Sequence, residues 1–173
     1  MHSFAHDASA QTASPGPPYV ERLEQALPNL FAAHQQLYRS LWQQAHVPPA
    51  ILELCRLRLA QLHRSEADWT REEHALAPGM REQLARWHES DAFDDAARAC
   101  IAFAEVYAMD ASAISDAQAQ AVQSHFGDAG LVLLIEALGL FDGMTRLNLL
   151  WRSPPAAQGD HTTPERGEAS DGQ

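Results

Sequence analysis

Apolar residues recur at helical spacing along almost the whole chain from Tyr19 to Arg152. Early in this region, offsets of three, four and seven place a set of apolar side chains on one helix face. The set comprises Leu30, Phe31, Leu37, Tyr38, Leu41 and Trp42. No stretch shows the alternation of apolar and polar residues that marks a half-buried strand. The sequence therefore predicts an all-α fold.

Proline and capping residues divide this region into separate helices. Pro28 suits the first turn of one helix, and Pro48-Pro49 separates that helix from the next. A short polar helix is predicted from Ser65 to about Ala77, and another short helix ends near Trp87.

Capping signals also mark the second half of the chain. Asp91 or Asp94 is predicted to cap a longer helix, and the segment from Ser115 to Gln118 has the spacing of a capping box. Gly127 is predicted to end the helix that follows this box, and Asp128 to begin the last one.

The two ends of the chain differ in composition from the region between them. Residues 1–18 end in a stretch rich in Pro and Gly and have little apolar surface to bury, so we expect a flexible arm. Residues 153–173 follow the same pattern after Pro154-Pro155 and are expected to form a disordered tail. Residues 19–152 then form a single helical domain.

The composition is acidic, because 23 Asp and Glu residues outweigh 12 Lys and Arg residues and give a formal net charge of -11. This balance argues against nucleic acid and anionic membranes, since both attract clustered Lys and Arg. No apolar run approaches the roughly 20 residues of a membrane helix, and the N-terminus lacks the features of a signal peptide. Two cysteines are too few for a disulfide scaffold. We therefore expect a soluble, cytoplasmic protein.

The last predicted helix is apolar around most of its circumference between Leu131 and Leu140. Such a helix needs burial on every side. Either the six other helices wrap it, or part of its surface packs against another copy of the chain. We favour the second interpretation, a homo-oligomer.

The segment Glu53–Glu72, which reads ELCRLRLAQLHRSEADWTRE, resembles the signature of a known family. That family is the carboxymuconolactone decarboxylase family, in its AhpD-like (alkylhydroperoxidase) branch. In its signature an early Glu precedes a phrase like L-R-x-A-Q, and a CxxCxxxH motif opens the next helix. Segments 93–109, 114–128 and 141–147 also resemble later parts of the family pattern.

The resemblance implies a bundle of six or seven helices, a homo-oligomer of three or more chains, and peroxiredoxin-type chemistry. In that chemistry one thiolate attacks peroxide, a second thiol resolves the intermediate, and Glu and His move protons. By position, Glu53 keeps the family's Glu, whereas Ser65, Asp68 and Glu72 replace the two cysteines and the histidine. Serine forms no sulfenic acid, so we expect no thiol peroxidase activity at these four candidate catalytic positions.

The replaced positions leave two chemical interpretations open. In the family geometry Glu53, Asp68 and Glu72 converge and, with His63 or His74, offer an oxygen-rich metal site or an acid/base pair. Alternatively, the S-x-x-D spacing simply caps a helix, as such pairs usually do. We favour the capping interpretation and predict no resident metal and no cofactor.

Further residues are placed beside this site by the resemblance. We expect Trp69, His63 and Arg146 to line a substrate pocket, with Arg146 tying the last helix to Glu53 or to a neighbouring subunit. Three functions follow from the pattern. The favoured one is a scaffold or ligand-binding homologue. The second is a thiol-independent acid/base enzyme of the decarboxylase or lactone-handling type, and the third is a helical partner protein without a small-molecule site.

Overall fold

The structure is a computed structural model that describes residues 19–152. Its helices are α1 (Tyr19–Ala26), α2 (Pro28–Gln43), α3 (Pro49–Leu62), α4 (Glu66–Thr70), α5 (Met80–Gln83), α6 (Asp95–Asp110) and α7 (Asp116–Arg152). Short 3-10 segments at Leu84–Arg86 and Ala111–Ala113 follow α5 and α6. Because no strand occurs within these residues, the predicted all-α class is confirmed. The predicted N-terminal arm and C-terminal tail lie outside the described residues.

Helix α3 forms the centre of the fold. It packs against α6 and α7, and its buried residues face almost every direction around its axis. These residues include the charged pair Glu53 and Arg56 as well as apolar residues such as Leu54 and Leu57. A helix buried all round is expected at the core of a bundle. From the sequence, such a central role was considered only for the last helix, as the alternative to self-association.

Helix α7 is buried on one side only within the single chain. Leu134 and Leu138 are fully buried against the core, whereas Val132 is 60% and Ile135 38% exposed. The interpretation in which the other helices wrap the last one is therefore wrong for one copy of the chain. The apolar face predicted for α2 is likewise only partly buried, because Leu37 is 48% exposed.

The predicted helix boundaries hold where a local signal sets them. Pro28 lies in the first turn of α2, and Asp94 caps α6 by accepting from the Ala97 amide at 2.8 Å. The Ser115 hydroxyl accepts from the Gln118 amide at 3.3 Å, while the Gln118 side chain accepts from the Ser115 amide at 2.9 Å. This reciprocal pair is the predicted capping box.

Gly127 interrupts α7 at the predicted position. Its φ of 66° and ψ of -174° lie in a region that is open almost exclusively to glycine. The chain is helical again from the next residue, Asp128, so the predicted end and restart are both observed. The break puts a kink in α7 between two core residues, Val122 and Leu134.

The polar helix predicted from Ser65 to Ala77 is much shorter than expected. Helix α4 ends at Thr70, and Arg71 is extended, with ψ of 135°. The buried polar pair of α3 accounts for this end. Arg56 donates to the Arg71 carbonyl at 2.6 Å, and the Glu73 amide donates to Glu53 at 3.3 Å. Because these backbone groups bond to α3, they are not free to continue the helix.

Candidate functional site

Glu53 and Arg56 form a buried ion pair on one turn of α3. The Arg56 Nε and Nη2 atoms donate to the two Glu53 carboxylate oxygens at 2.8 and 2.7 Å. Burial by itself would lower the pKa of Arg56, but the hydrogen bonds and the charge of Glu53 outweigh it and raise that pKa. Arg56 therefore stays charged, and Glu53 is committed to a structural partner.

Arg56 also fixes the segment that carries the replaced family positions. Its Nη1 atom donates to the Asp68 carbonyl at 2.8 Å, in addition to the bond with the Arg71 carbonyl. The sequence analysis did not select Arg56. The spacing of three residues between Glu53 and Arg56 places both side chains on one helix face, and this signal could have revealed the pair.

Ser65 and Asp68 lie together, both buried. The Ser65 hydroxyl donates to Asp68 Oδ2 at 2.6 Å, and the side-chain amide of Asn148 in α7 donates to Asp68 Oδ1 at 3.1 Å. Ser65 occupies the N-cap position of α4, but its side chain makes no capping bond to the backbone. The capping interpretation is therefore wrong for the hydroxyl, which serves the Asp68 carboxylate instead.

Glu72 does not join this cluster. Because α4 ends two residues earlier, Glu72 is not one helical turn from Asp68; its side chain is 61% exposed and lies 3.7 Å from Arg81. The predicted convergence of three carboxylates is thus not observed. Within residues 19–152 no group of three or more His, Cys, Asp or Glu side chains is arranged to hold a metal.

His63 and Arg146 form a second polar cluster that is centred on Asp142. His63 Nε2 lies 2.5 Å from Asp142 Oδ1, and Arg146 Nε donates to Asp142 Oδ2 at 2.6 Å. Arg146 also donates to the Ala108 carbonyl at 3.1 Å, which ties α7 to α6. The expected link from Arg146 to Glu53 is therefore absent.

Trp69 lies beside Ser65 and Asp68, as expected, and lines a hollow on the protein surface. Arg81 stacks over its ring with the guanidinium carbon 5.6 Å from the ring centroid, and donates to its carbonyl at 3.0 Å. Together with Ser65 and residues at the end of α3, Trp69 lines an open surface hollow of about 420 Å³.

A partly enclosed cavity of about 440 Å³ opens on the other side of α4. Residues of α1, α2, α4, α7 and the segment after α4 line it. They are Val20, Glu21, His34, Gln35, Tyr38, Ala67, Asp68, Arg71, Glu73, Met144 and Asn148. Its size lies within the range of small-molecule sites, and Asp68 is the one replaced family position on its wall.

Two aromatic residues of α2 carry polar atoms without partners at this cavity. Both ring nitrogens of His34 and the hydroxyl of Tyr38 are shielded from solvent and form no hydrogen bond of good geometry. Burial lowers the pKa of His34 and raises that of Tyr38, where the Glu73 carboxylate adds to the effect. Both side chains are therefore held in their neutral forms.

The residues that sequence reasoning missed on this wall lie far apart in the chain. His34 and Asn148 had been considered only as ordinary helix residues or not at all. Their positions on the same wall as Asp68 depend on how α2, α4 and α7 come together at the cavity. No local pattern signals such a site.

The two cysteines lie away from the cavity, in the core where the sequence analysis placed them. Cys55 and Cys100 are both free and buried. Burial raises the pKa of both thiols, that of Cys100 to about 12, and the neighbouring Cys100 adds to the effect on Cys55. A buried thiol with a raised pKa is a poor nucleophile.

A comparison with solved structures supports the architecture. No family model matches the sequence, and no curated protein sequence matches it either. A crystal structure from Agrobacterium tumefaciens, described as a protein of unknown function and a candidate antioxidant defence protein AhpD, is similar in fold. The TM-score is 0.65 at 17% identity, over 78% of this chain and 96% of that one. The chain therefore has an AhpD-like all-α fold.

Proposed function

We propose that this protein binds a small molecule in the cavity beside α4 and does not act as a thiol peroxidase. The observation that carries the proposal is the cavity of about 440 Å³, which has the buried Asp68 carboxylate on its wall. A filled helix interface at this place would have favoured a pure scaffold.

The replaced residues support a change of chemistry at the position of the family's thiol pair. A hydrogen-bonded hydroxyl and carboxylate, Ser65 and Asp68, stand where the resemblance places two cysteines. They offer neither a thiolate nor a resolving thiol, and the two cysteines of the chain are buried elsewhere. Dithiol-dependent hydroperoxide consumption that disappears in a cysteine-free variant would contradict this part of the proposal.

A cavity-filling variant tests the binding function. Ala67 lies on the cavity wall, so Ala67→Phe should fill part of the space. We expect a thermal-shift screen of small molecules to find compounds that stabilise the wild-type chain but not Ala67→Phe. Ala117→Phe, at an exposed position on α7, is the matched control and should respond like the wild type. A screen in which every hit stabilises both variants equally would refute the cavity as a ligand site.

An acid/base enzyme is the second candidate function, and the position of Asp68 favours it. A buried carboxylate that faces a cavity is a common general acid or base. Of the four positions carried over from the family, Glu53 is paired with Arg56 and Glu72 is exposed, so Asp68 would carry the chemistry. Turnover of a lactone or β-keto acid that is lost in Asp68→Asn would support this alternative.

The proposal also includes self-association of the chain and a location in the cytoplasm, where thiols stay reduced. Leu37 of α2 and Val132 of α7 flank an open, mainly apolar groove, which supports a homo-oligomer of three or more chains. Two free buried cysteines fit the cytoplasm. No helix within residues 19–152 combines the length and the apolar character needed to cross a bilayer.

A further inference from the structure

The ionisable side chains around the cavity are unequal in sign. Among the described lining residues, Glu21, Asp68 and Glu73 carry carboxylates, whereas Arg71 carries the guanidinium. Arg71 forms ion pairs with two of these carboxylates: its Nε atom lies 2.7 Å from Glu73 Oε1, and its Nη2 atom lies 3.9 Å from Asp68 Oδ1. The cavity therefore has an excess of negative charge that its own residues do not neutralise.

The wall also presents hydrogen-bond acceptors, beside the unpartnered N–H of His34 and O–H of Tyr38. Asp68 accepts hydrogen bonds from Ser65 and Asn148 and so is held as an acceptor. A neutral imidazole keeps one acceptor nitrogen, and that of His34 has no partner in the protein. Burying an acceptor without a donor is unfavourable, so a donor supplied by a ligand is favoured there.

We infer that the cavity takes a small organic cation with a primary ammonium group, an inference that rests on the proposed ligand-binding function. An ammonium group brings one positive charge to the excess carboxylates, and a donor to the acceptor nitrogen of His34 that has no protein partner. A carboxylate ligand would instead face like charges at short range in a partly desolvated space, where repulsion is strong. The net charge of -11 also attracts cations to the chain from a distance.

Three probes that share a four-carbon chain separate charge from shape. Isothermal titration calorimetry on the full chain would compare 1,4-diaminobutane, butane-1,4-diol and succinate, which have cationic, neutral and anionic ends. We expect the diamine to bind and the other two to bind at least about tenfold more weakly. Equal or tighter binding of the diol or succinate, or no binding of the diamine, would overturn the inference.

Variants then locate the binding. Glu73→Gln and Asp68→Asn each remove one negative charge from the wall and should weaken diamine binding at least about fivefold. Glu89→Gln, at an exposed residue that does not line the cavity, removes one negative charge elsewhere and is the matched control, with unchanged affinity expected. Circular dichroism checks that each variant is folded, and Glu73→Gln, at the partly exposed rim, serves as the test if Asp68→Asn does not fold. Equal losses in all three variants would show that only net charge matters and would refute the assigned site.

The Ala67→Phe screen distinguishes failure of this inference from failure of the binding function. If other compounds bind the wild type but not Ala67→Phe while the diamine does not bind, the cavity is a ligand site for another class of molecule. If no compound distinguishes the wild type from Ala67→Phe, the binding function itself fails.

Discussion

The hydroxyl of Ser65 donates to the carboxylate of Asp68 across 2.6 Å, and both side chains are buried beside the cavity. This bond joins the two positions at which the resemblance places the redox cysteines. Where the resemblance implies a thiol pair, which can be oxidised reversibly, this chain has a buried hydrogen bond without redox chemistry. The strength of this bond can therefore be measured through folding.

Removing the Ser65 hydroxyl should destabilise the protein. Ser65→Ala leaves one oxygen of the buried Asp68 without its donor, and such a loss costs about 1–3 kcal/mol. Urea denaturation followed by circular dichroism measures the change in the free energy of unfolding. Ser124→Ala is the control, because that hydroxyl donates to a carbonyl on an exposed helix face and should matter little. Equal effects of the two substitutions would contradict the buried bond.

Breaking the buried ion pair of α3 should be more costly. Arg56→Met leaves the Glu53 carboxylate buried without its partner and removes the bonds to the carbonyls of Asp68 and Arg71, so we expect a loss of about 3–5 kcal/mol. The double variant Glu53→Gln/Arg56→Met should recover part of it, because no unpaired charge remains. By contrast, Arg146→Met breaks an ion pair of an exposed arginine and should cost about 0–1 kcal/mol. If the double variant were less stable than Arg56→Met, the charge argument would be wrong.

His34 should make stability depend on pH. Burial lowers its folded-state pKa below the ordinary value of 6.5, so the unfolded state binds the proton more readily. The stabilisation due to neutral His34 is then present above about pH 6.5 and is lost as the pH falls through the folded pKa. The urea midpoint should fall less between neutral and mildly acidic pH in His34→Asn than in the wild type. His125→Asn, at an exposed position, is the control, and parallel curves for wild type and His34→Asn would rule the effect out.

Two glycines of α7 should respond to alanine in opposite directions. Gly127 has a positive φ that alanine tolerates poorly, so Gly127→Ala should cost about 1–3 kcal/mol although a Cβ there would meet no neighbour. Gly143 is helical and equally open, so Gly143→Ala should add roughly 0.5–1 kcal/mol. Thermal unfolding of both variants checks the prediction, and a stabilising Gly127→Ala would exclude the interruption of α7.

The apolar groove between α2 and α7 should control self-association. A charge at its edge, in Leu37→Glu or Val132→Glu, should shift the protein toward the monomer in size-exclusion chromatography with light scattering. Met109→Glu, at an even more exposed apolar residue outside the groove, is the control and should leave the mass unchanged. A wild-type chain that is already monomeric would refute the proposed oligomer.

The sequence predicted those parts of the fold that depend on local signals. Helical periodicity, the Asp94 cap, the capping box and the break at Gly127 each involve residues within a few positions of one another. The sequence did not predict the features that depend on residues far apart in the chain. The end of α4 depends on bonds from Arg56 to the backbone twelve and fifteen positions later, and the cavity depends on α1, α2, α4 and α7 packing together. Periodicity carries no information about either.

The way Arg56 holds the α4 segment has a consequence for how this site can change over generations. Its guanidinium bonds to the carbonyl groups of residues 68 and 71, which are present whichever side chains occupy those positions. The path of the backbone is therefore independent of the chemistry displayed there. In a chain with this arrangement, a change of side chain at residue 68 or 71 leaves the two bonds that hold the backbone in place.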